Sequence, residues 1–258
     1  MWATGWFGKT MIEFVIQMSG FQRRFHWMLS ALSQQADPPA FRLRVDLSTH
    51  DPFGHLTPCL MRCFDGPMDI QWISHDGDDF LQRGFLRDQA MNESDAEWLL
   101  FSDADMIYPP EFLRDVSAKY LQGEHDANIM SVVRHGSTVE NADAIINAAD
   151  YTEPLPEAFV QAHQAWARHP HKTSLAGATG YFQLCRRAEA LSRGTYYRDA
   201  INRDRPINLG IATDRRRGRT VSDCRFRQGW KVVEVDSPPL IHLAHVREWE
   251  KAFKGAIR

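Results

Sequence analysis

Cysteine is scarce in this 258-residue chain. The four present, Cys59, Cys63, Cys185 and Cys224, form no CxxC pair and no disulfide-like spacing, so reduced thiols in a cytoplasmic protein are expected. Also lacking is any apolar run near the roughly 20 residues of a membrane-spanning helix. The opening "MWATGWFGKT" has no signal-peptide hydrophobic region. The net charge is −3, which gives no general attraction for nucleic acid, and no repeat or low-complexity tract is visible. Apolar and charged fractions are those of a soluble globular protein, and the length suits one large domain or two small ones.

Hydrophobic periodicity gives the organisation. "MIEFVIQMSG" reads as a buried strand closed by Gly20, and "FQRRFHWMLSALSQQ" carries Phe21, Phe25, Met28, Leu29 and Leu32 at helical spacing. "FRLRVDLSTHDPFG" alternates as a second strand ending in turn residues. "MDIQWISHDGDD" predicts a third strand and "FLQRGFLRDQAMNES" a second helix. Trp98 to Phe101 form a fourth strand, Glu111 to Leu121 a short helix, and "ANIMSVVRHG" a fifth strand. This βαβ alternation predicts an α/β fold with a mainly parallel central sheet flanked by helices, whose ligands sit at the carboxyl ends of the strands.

At one such end, in "EWLLFSDADMIYPPEFL", Asp103 and Asp105 follow an apolar strand and precede Pro109 and Pro110. Period-two spacing predicts both carboxylates on one side of an extended segment. Two crowded acids repel unless a cation joins them, and no run of lysine or arginine adjoins them, so a divalent metal is the expected partner. The competing reading, a cap for the helix after Pro109, needs only one acid placed nearer the helix.

"LLFSDADMIYPPEFL" resembles the DxD region of GT-A glycosyltransferases of the family 2 type. The resemblance extends over roughly residues 11 to 248. "FVIQMSGFQRRFHWMLSALSQQ" is similar to the family's opening strand and helix, with Met18 and Gly20 in place of the usual Pro and Asn. "VDLSTHDPF" resembles the second-strand turn and "RGFLRDQAM" the helix start that usually reads aRN. "LAGATGYFQLCRRAEAL" resembles the acceptor-side strand, "VSDCRFRQGWKVV" the base segment with Ser222 where Glu is commoner, and "PPLIHLAHV" the closing histidine segment.

That resemblance implies a fold, an activity and a set of site residues. The chain is expected to be a single GT-A (Rossmann-like) domain over 1–258, with a nucleotide-sugar-binding half at 11–135 and an acceptor-binding half at 136–258. Its expected activity moves a sugar from a nucleotide-diphosphate donor to a hydroxyl acceptor, saccharide or lipid-linked, with Mn²⁺ or Mg²⁺ as cofactor. Asp105 is the implied metal ligand, with Asp103 and Ala104 beside it and Asp103 reaching the ribose or a water of the ion's shell. His242 or His245 completes the site, His242 being favoured because it follows "PPLI" directly. Asp223 is the expected general base of an inverting transfer, where the competing role is a salt bridge with Arg225 or Arg227. Asp46 is the candidate acid for the donor base, with Asp51 as the alternative; either can instead be an Asx-type turn former. Arg87 is expected to pair with the donor phosphates or with the aspartate strand, the competing reading being a plain helix-surface arginine, and Gly180 and Tyr181 to line the acceptor side.

Other segments carry weaker signals. "TDRRRGRT", residues 213–220, is a basic loop that suits either a lid over the diphosphate or solvated surface. "HQAWARHPHK" suits an acceptor-site rim or an amphipathic helix end better than a metal site. "HVREWEKAFKGAIR" has an apolar stripe that packs on the sheet more readily than it binds lipid. The expected setting is cytoplasmic, with contact at the inner membrane face at most peripheral and salt-sensitive. Two other functions compete: a nucleotidyltransferase, for which "QMSGFQRRF" is a poor phosphate loop, and an inactive sugar-binding relative, which Ser222 keeps open.

Overall fold

The computed structural model describes residues 11–51, 53–66, 68–76, 80, 83–121, 128–132, 134–136, 153–156, 169–170, 182–193 and 230–243. In chain order the elements are β1 (Met11–Met18), α1 (Gln22–Ser33), β2 (Ala40–Ser48), α2 (Thr57–Phe64) and β3 (Ile70–His75). Then come α3 (Arg83–Glu93), β4 (Trp98–Asp103), β5 (Met106–Ile107) and α4 (Phe112–Val116), which runs on into a π-helical turn, Ser117–Leu121. The remainder are β6 (Asn128–Ser131), β7 (Arg134–Gly136), β8 (His169–Pro170), β9 (Phe182–Arg186), α5 (Arg187–Ser192), β10 (Lys231–Glu234) and β11 (Leu240–His242).

Seven strands form the main sheet in the order β10-β6-β9-β4-β1-β2-β3. All pairs are parallel except those that β9 makes with β4 and β6, as expected of a mainly parallel sheet. β1 is nearly uniform in apolar residues because β2 and β4 flank it on both edges and helices cover both faces. On one face Phe14, Ile16, Leu43, Val45 and Leu100 pack with Phe25, Met28, Leu29 and Leu32 of α1. On the other, Val15, Leu99 and Phe101 meet Ala90 and Met91 of α3. After β1 the chain swings into α1 through Gly20, whose φ of 72° is the left-handed conformation glycine tolerates.

A second, smaller sheet has the order β5-β11-β7-β8. It corrects one expectation: "ANIMSVVRHG" is not one strand. β6 pairs with β9 and β10 in the main sheet, whereas β7 pairs with β11 and β8 in the small one. Apolar periodicity is continuous through the segment and cannot register a change of partner at buried Val132. Two further differences concern helices. α2 was not anticipated, although Pro58 in its first turn is a helix-start signal, and it places Cys59 and buried Cys63 as free thiols. His169–Pro170, within the stretch read as a rim or helix end, lies in a strand.

Candidate functional site

The acids of the "SDAD" segment sit where the parallel sheet ends. β4 stops at Asp103, and Ala104 and Asp105 form a turn before the chain enters β5. The expected period-two arrangement therefore does not hold, because the backbone is no longer extended at Asp105. Asp103 keeps some exposure at the strand tip, while Asp105 is buried. The turn is held from both ends. Ser102 Oγ and Tyr108 Oη lie 2.7 Å apart across it, and Ser102 Oγ also donates to the Asp103 carbonyl at 3.0 Å. Burial pushes the Tyr108 hydroxyl well up; the Ser102 bond opposes this and the Asp103 charge adds to it.

The small sheet brings the late part of the chain to this turn. β11 runs antiparallel to β5, with His242 opposite Met106, and the Leu243 amide donates to the Asp105 carbonyl at 3.0 Å. His242 Nε2 consequently lies 3.1 Å from Asp105 Oδ2. A carboxylate oxygen beside an imidazole nitrogen is a donor pair that Mn²⁺ accepts and that also suits a histidine simply bonded to an acid. Among the described residues no group of three or more His, Cys, Asp or Glu side chains gathers to hold an ion, so Asp103 does not join the pair in one cluster. The pair fits an ion that keeps most of its coordination shell for water and phosphate oxygens.

Along the same sheet edge, β1 sets the level of the other candidates. Gln17 is in register with both Asp103 of β4 and Asp46 of β2, so the three side chains leave one face of the sheet. Asp46 has no exposed surface. Its Oδ1 lies 2.8 Å from His75 Nε2 and 3.3 Å from Arg44 Nε, and Arg44 Nη1 reaches Glu93 Oε2 at 2.5 Å. Asp46 Oδ2 has no hydrogen-bond partner among the described residues. Burial raises the Asp46 carboxyl above its ordinary value, against the opposing pull of Arg44 and His75. Asp51 is the turn former: Oδ1 accepts from the Phe53 amide at 2.8 Å, and Oδ2 from the Gly20 amide at 2.9 Å and Gln22 Nε2 at 2.6 Å. It ties the turn after β2 to the turn after β1.

Arg87, on α3, is fully buried rather than on a helix surface. Its guanidinium lies 5.1 Å from the Phe101 ring centroid, and Nη1 donates to Gln183 Oε1 on β9 at 3.4 Å. It thus bears on the strand that carries the acids. Gly180, Tyr181, Asp223 and His245 lie outside the described residues, as do the basic loop 213–220 and the segment from 245 onward. Sequence reasoning missed His75 and Arg44. The signal for His75 was its place as the last residue of a strand next to "DGDD"; Arg44 had no signal beyond being a cation in a strand that is buried on both sides.

Residues 84–187, less than half of the chain, match the family described as Glycosyl transferase family 2. That stretch is similar to the family, and the mainly parallel seven-stranded sheet is that of a GT-A-like fold. Among solved structures, S. aureus TarS 1-349 in complex with UDP-GlcNAc is 12% identical with a TM-score of 0.57, covering 92% of this chain and 59% of that one. The mannosyltransferase PcManGT from Pyrobaculum calidifontis, in complex with GDP-Man and Mn²⁺, is 14% identical with a TM-score of 0.50, covering 95% and 60%. The crystal structure of the longer S. aureus TarS is 12% identical with a TM-score of 0.55, covering 96% and 39%. This chain therefore spans less than two thirds of the length of these solved chains. No curated protein sequence matches it.

Proposed function

We propose that this protein transfers a sugar from a nucleotide-diphosphate donor to a hydroxyl acceptor, assisted by a divalent metal. The observation that carries the reading is the Asp105–His242 pair, 3.1 Å apart at the carboxyl end of β4, in a family 2-like GT-A fold. Support for the donor class comes from the solved relatives, described with UDP-GlcNAc and with GDP-Man and Mn²⁺. On this reading Asp105 and His242 hold the metal, with Asp103 and Ala104 at the same turn and His245 as a further candidate. When bound, a divalent ion neutralises charge that develops on the leaving diphosphate.

The chain's own residues have separate roles in this proposal. Arg87 fixes the Phe101 end of β4 and faces β9. Asp223 accepts the proton of the attacking hydroxyl in an inverting transfer, and Gly180 and Tyr181 line the acceptor side. The donor half is 11–135 and the acceptor half 136–258. No helix among the described residues is long and apolar enough to cross a membrane, and we place any lipid contact at the periphery.

Calorimetric titration of the full chain with UDP and with GDP, with and without Mn²⁺, tests this. The expected result is at least about tenfold tighter binding of one nucleotide with Mn²⁺, lost in Asp105→Ala, since Asp105 and His242 would hold the ion whose charge favours the diphosphate. Equal affinity with and without Mn²⁺ would remove the metal from the proposal. No binding of either nucleotide would remove the donor.

A further inference from the structure

Two hydroxyls lie in the apolar core directly behind the acid turn. Ser102 is in register with Ile16 of β1 and Phe182 of β9, so it leaves β4 on the face that packs against α1. Tyr108 lies in the same core, its ring edge-on to Phe14 at 5.5 Å and to Phe112 at 5.4 Å. Both residues are buried, Tyr108 completely. A hydroxyl buried among apolar side chains is costly unless it is hydrogen-bonded. Among the described residues these two bond only to each other and to the Asp103 carbonyl.

The geometry also fixes which way the protons point. A serine hydroxyl has one proton, and the Asp103 carbonyl can only accept it. Tyr108 Oη must then be the donor to Ser102 Oγ at 2.7 Å. The result is a one-way relay from Tyr108 through Ser102 to the Asp103 carbonyl. Its far end is anchored by Gln35, just past α1. Gln35 Nε2 donates to the Pro109 carbonyl at 2.7 Å, and Oε1 accepts from the Leu113 amide at 3.0 Å. At the near end the relay holds the peptide plane that follows Asp103, while the Leu243 amide holds the one that follows Asp105. Those two planes set how the Asp103 and Asp105 side chains stand relative to each other. A site for an ion needs its ligands held within about 0.5 Å, and where β4 stops the strand ladder no longer does this.

We infer that Tyr108 and Ser102 are positioning residues for the ion, a buried hydroxyl relay that holds the acid turn in shape, with Gln35 anchoring Tyr108. This rests on the proposed divalent metal and extends it to residues that never touch the ion. Ser102 and Asp103 leave β4 on opposite faces, so the relay acts from the core side and only through the backbone.

The test uses the full chain and Mn²⁺ itself. Mn²⁺ binding, alone and with UDP or GDP, is followed by loss of the free ion's electron paramagnetic resonance signal. Calorimetry gives the nucleotide affinities with and without Mn²⁺. Tyr108→Phe, which keeps the ring and its packing, should weaken Mn²⁺ binding about fivefold, the usual effect of one hydrogen bond. Nucleotide affinity without Mn²⁺ should stay at the wild-type value. Ser102→Ala should weaken Mn²⁺ binding at least as much, and adding Tyr108→Phe to it should weaken binding no further, because the relay is already cut. Losses that add in the double variant, Mn²⁺ affinity unmoved by Tyr108→Phe, or an equal loss in metal-free nucleotide binding would each overturn the assignment. Because a variant can fail to fold, the wild type supplies a separate readout. Its Tyr108 hydroxyl proton should give a slowly exchanging NMR resonance close to the Ser102 side chain, and a proton that exchanges freely with solvent would overturn the relay. If the wild type binds Mn²⁺ but the variants match it, this inference alone falls. If the wild type binds no Mn²⁺, with or without nucleotide, the metal reading falls with it.

Discussion

At β2 the two faces of the sheet are built on opposite principles, although the face of Arg44 and Asp46 turns apolar at Val15, Leu99 and Phe101. Leu43, Val45 and Leu47 enter an apolar core against α1, closed by edge-to-face aromatic contacts such as Phe14 with Tyr108 at 5.5 Å. The alternate residues Arg44 and Asp46 are as deeply buried, yet charged, and Arg42 beside them bonds to buried Glu13 through Nε at 2.7 Å. Glu13 Oε2 also accepts from Ser94 Oγ at 2.8 Å. Burial therefore does not separate the faces; the way each compensates for lost water does. The apolar face gains from transfer and packing. The charged face replaces water with paired ions, an exchange that seldom yields net stability. A face that gains little by being charged makes better sense as a support for groups that must be aimed, and its row ends at His75 and Asp103.

The largest expected effect comes from damaging the apolar face. Phe14 has no exposed surface, and Phe14→Ala should cost about 3–5 kcal/mol, the usual range for a buried phenylalanine, read from the denaturant midpoint. A loss below about 1 kcal/mol would mean that this face is not the principal core.

Next in size is the charged face. Arg44→Met leaves Asp46 buried without its cation and should cost about 3 kcal/mol, the low end for breaking a buried pair because Glu93 is half exposed. The double variant Arg44→Met with Asp46→Leu should recover most of that loss, since removing both charges also removes the desolvation penalty. A double variant as unstable as the sum of its singles would show that the charges hold the fold rather than orient His75.

The same contrast accounts for what was legible in the sequence. Apolar periodicity located β1 to β4, α1 and α3, because those segments keep one partner along their length. It failed for β6 and β7, where Val132 passes between sheets, since partner identity is a tertiary property. It suggested that Asp103 and Asp105 share a side, an inference valid only while the strand continues, and the turn at Ala104 ends it. The proximity of His242 to Asp105 followed from no local rule. It arises from β11 pairing with β5, across more than half the chain. Alternation in β2 likewise sets Arg44 and Asp46 apart from the apolar positions, but a period of two separates faces without telling which of them α3 will cover.

The smallest expected effect is on the pH dependence of stability. Burial, the largest influence on Asp46, raises its carboxyl above the ordinary value, and the Arg44 charge and the His75 hydrogen bond only partly offset it. In the unfolded chain this group ionises near the usual ~3.9. Between that point and the higher folded value, the folded state holds the proton that the unfolded state has released. Wild-type stability should therefore fall as pH rises through this window, and the contribution is fully present only below it. Asp46→Asn removes the titration, and subtracting its stability curve from that of the wild type cancels the other carboxylates. The difference should decline with rising pH across the window and flatten above it. A difference that instead grows with pH would mean that Arg44 and His75 outweigh burial. The charged face would then be a source of stability in its own right, and the contrast between the two faces would narrow.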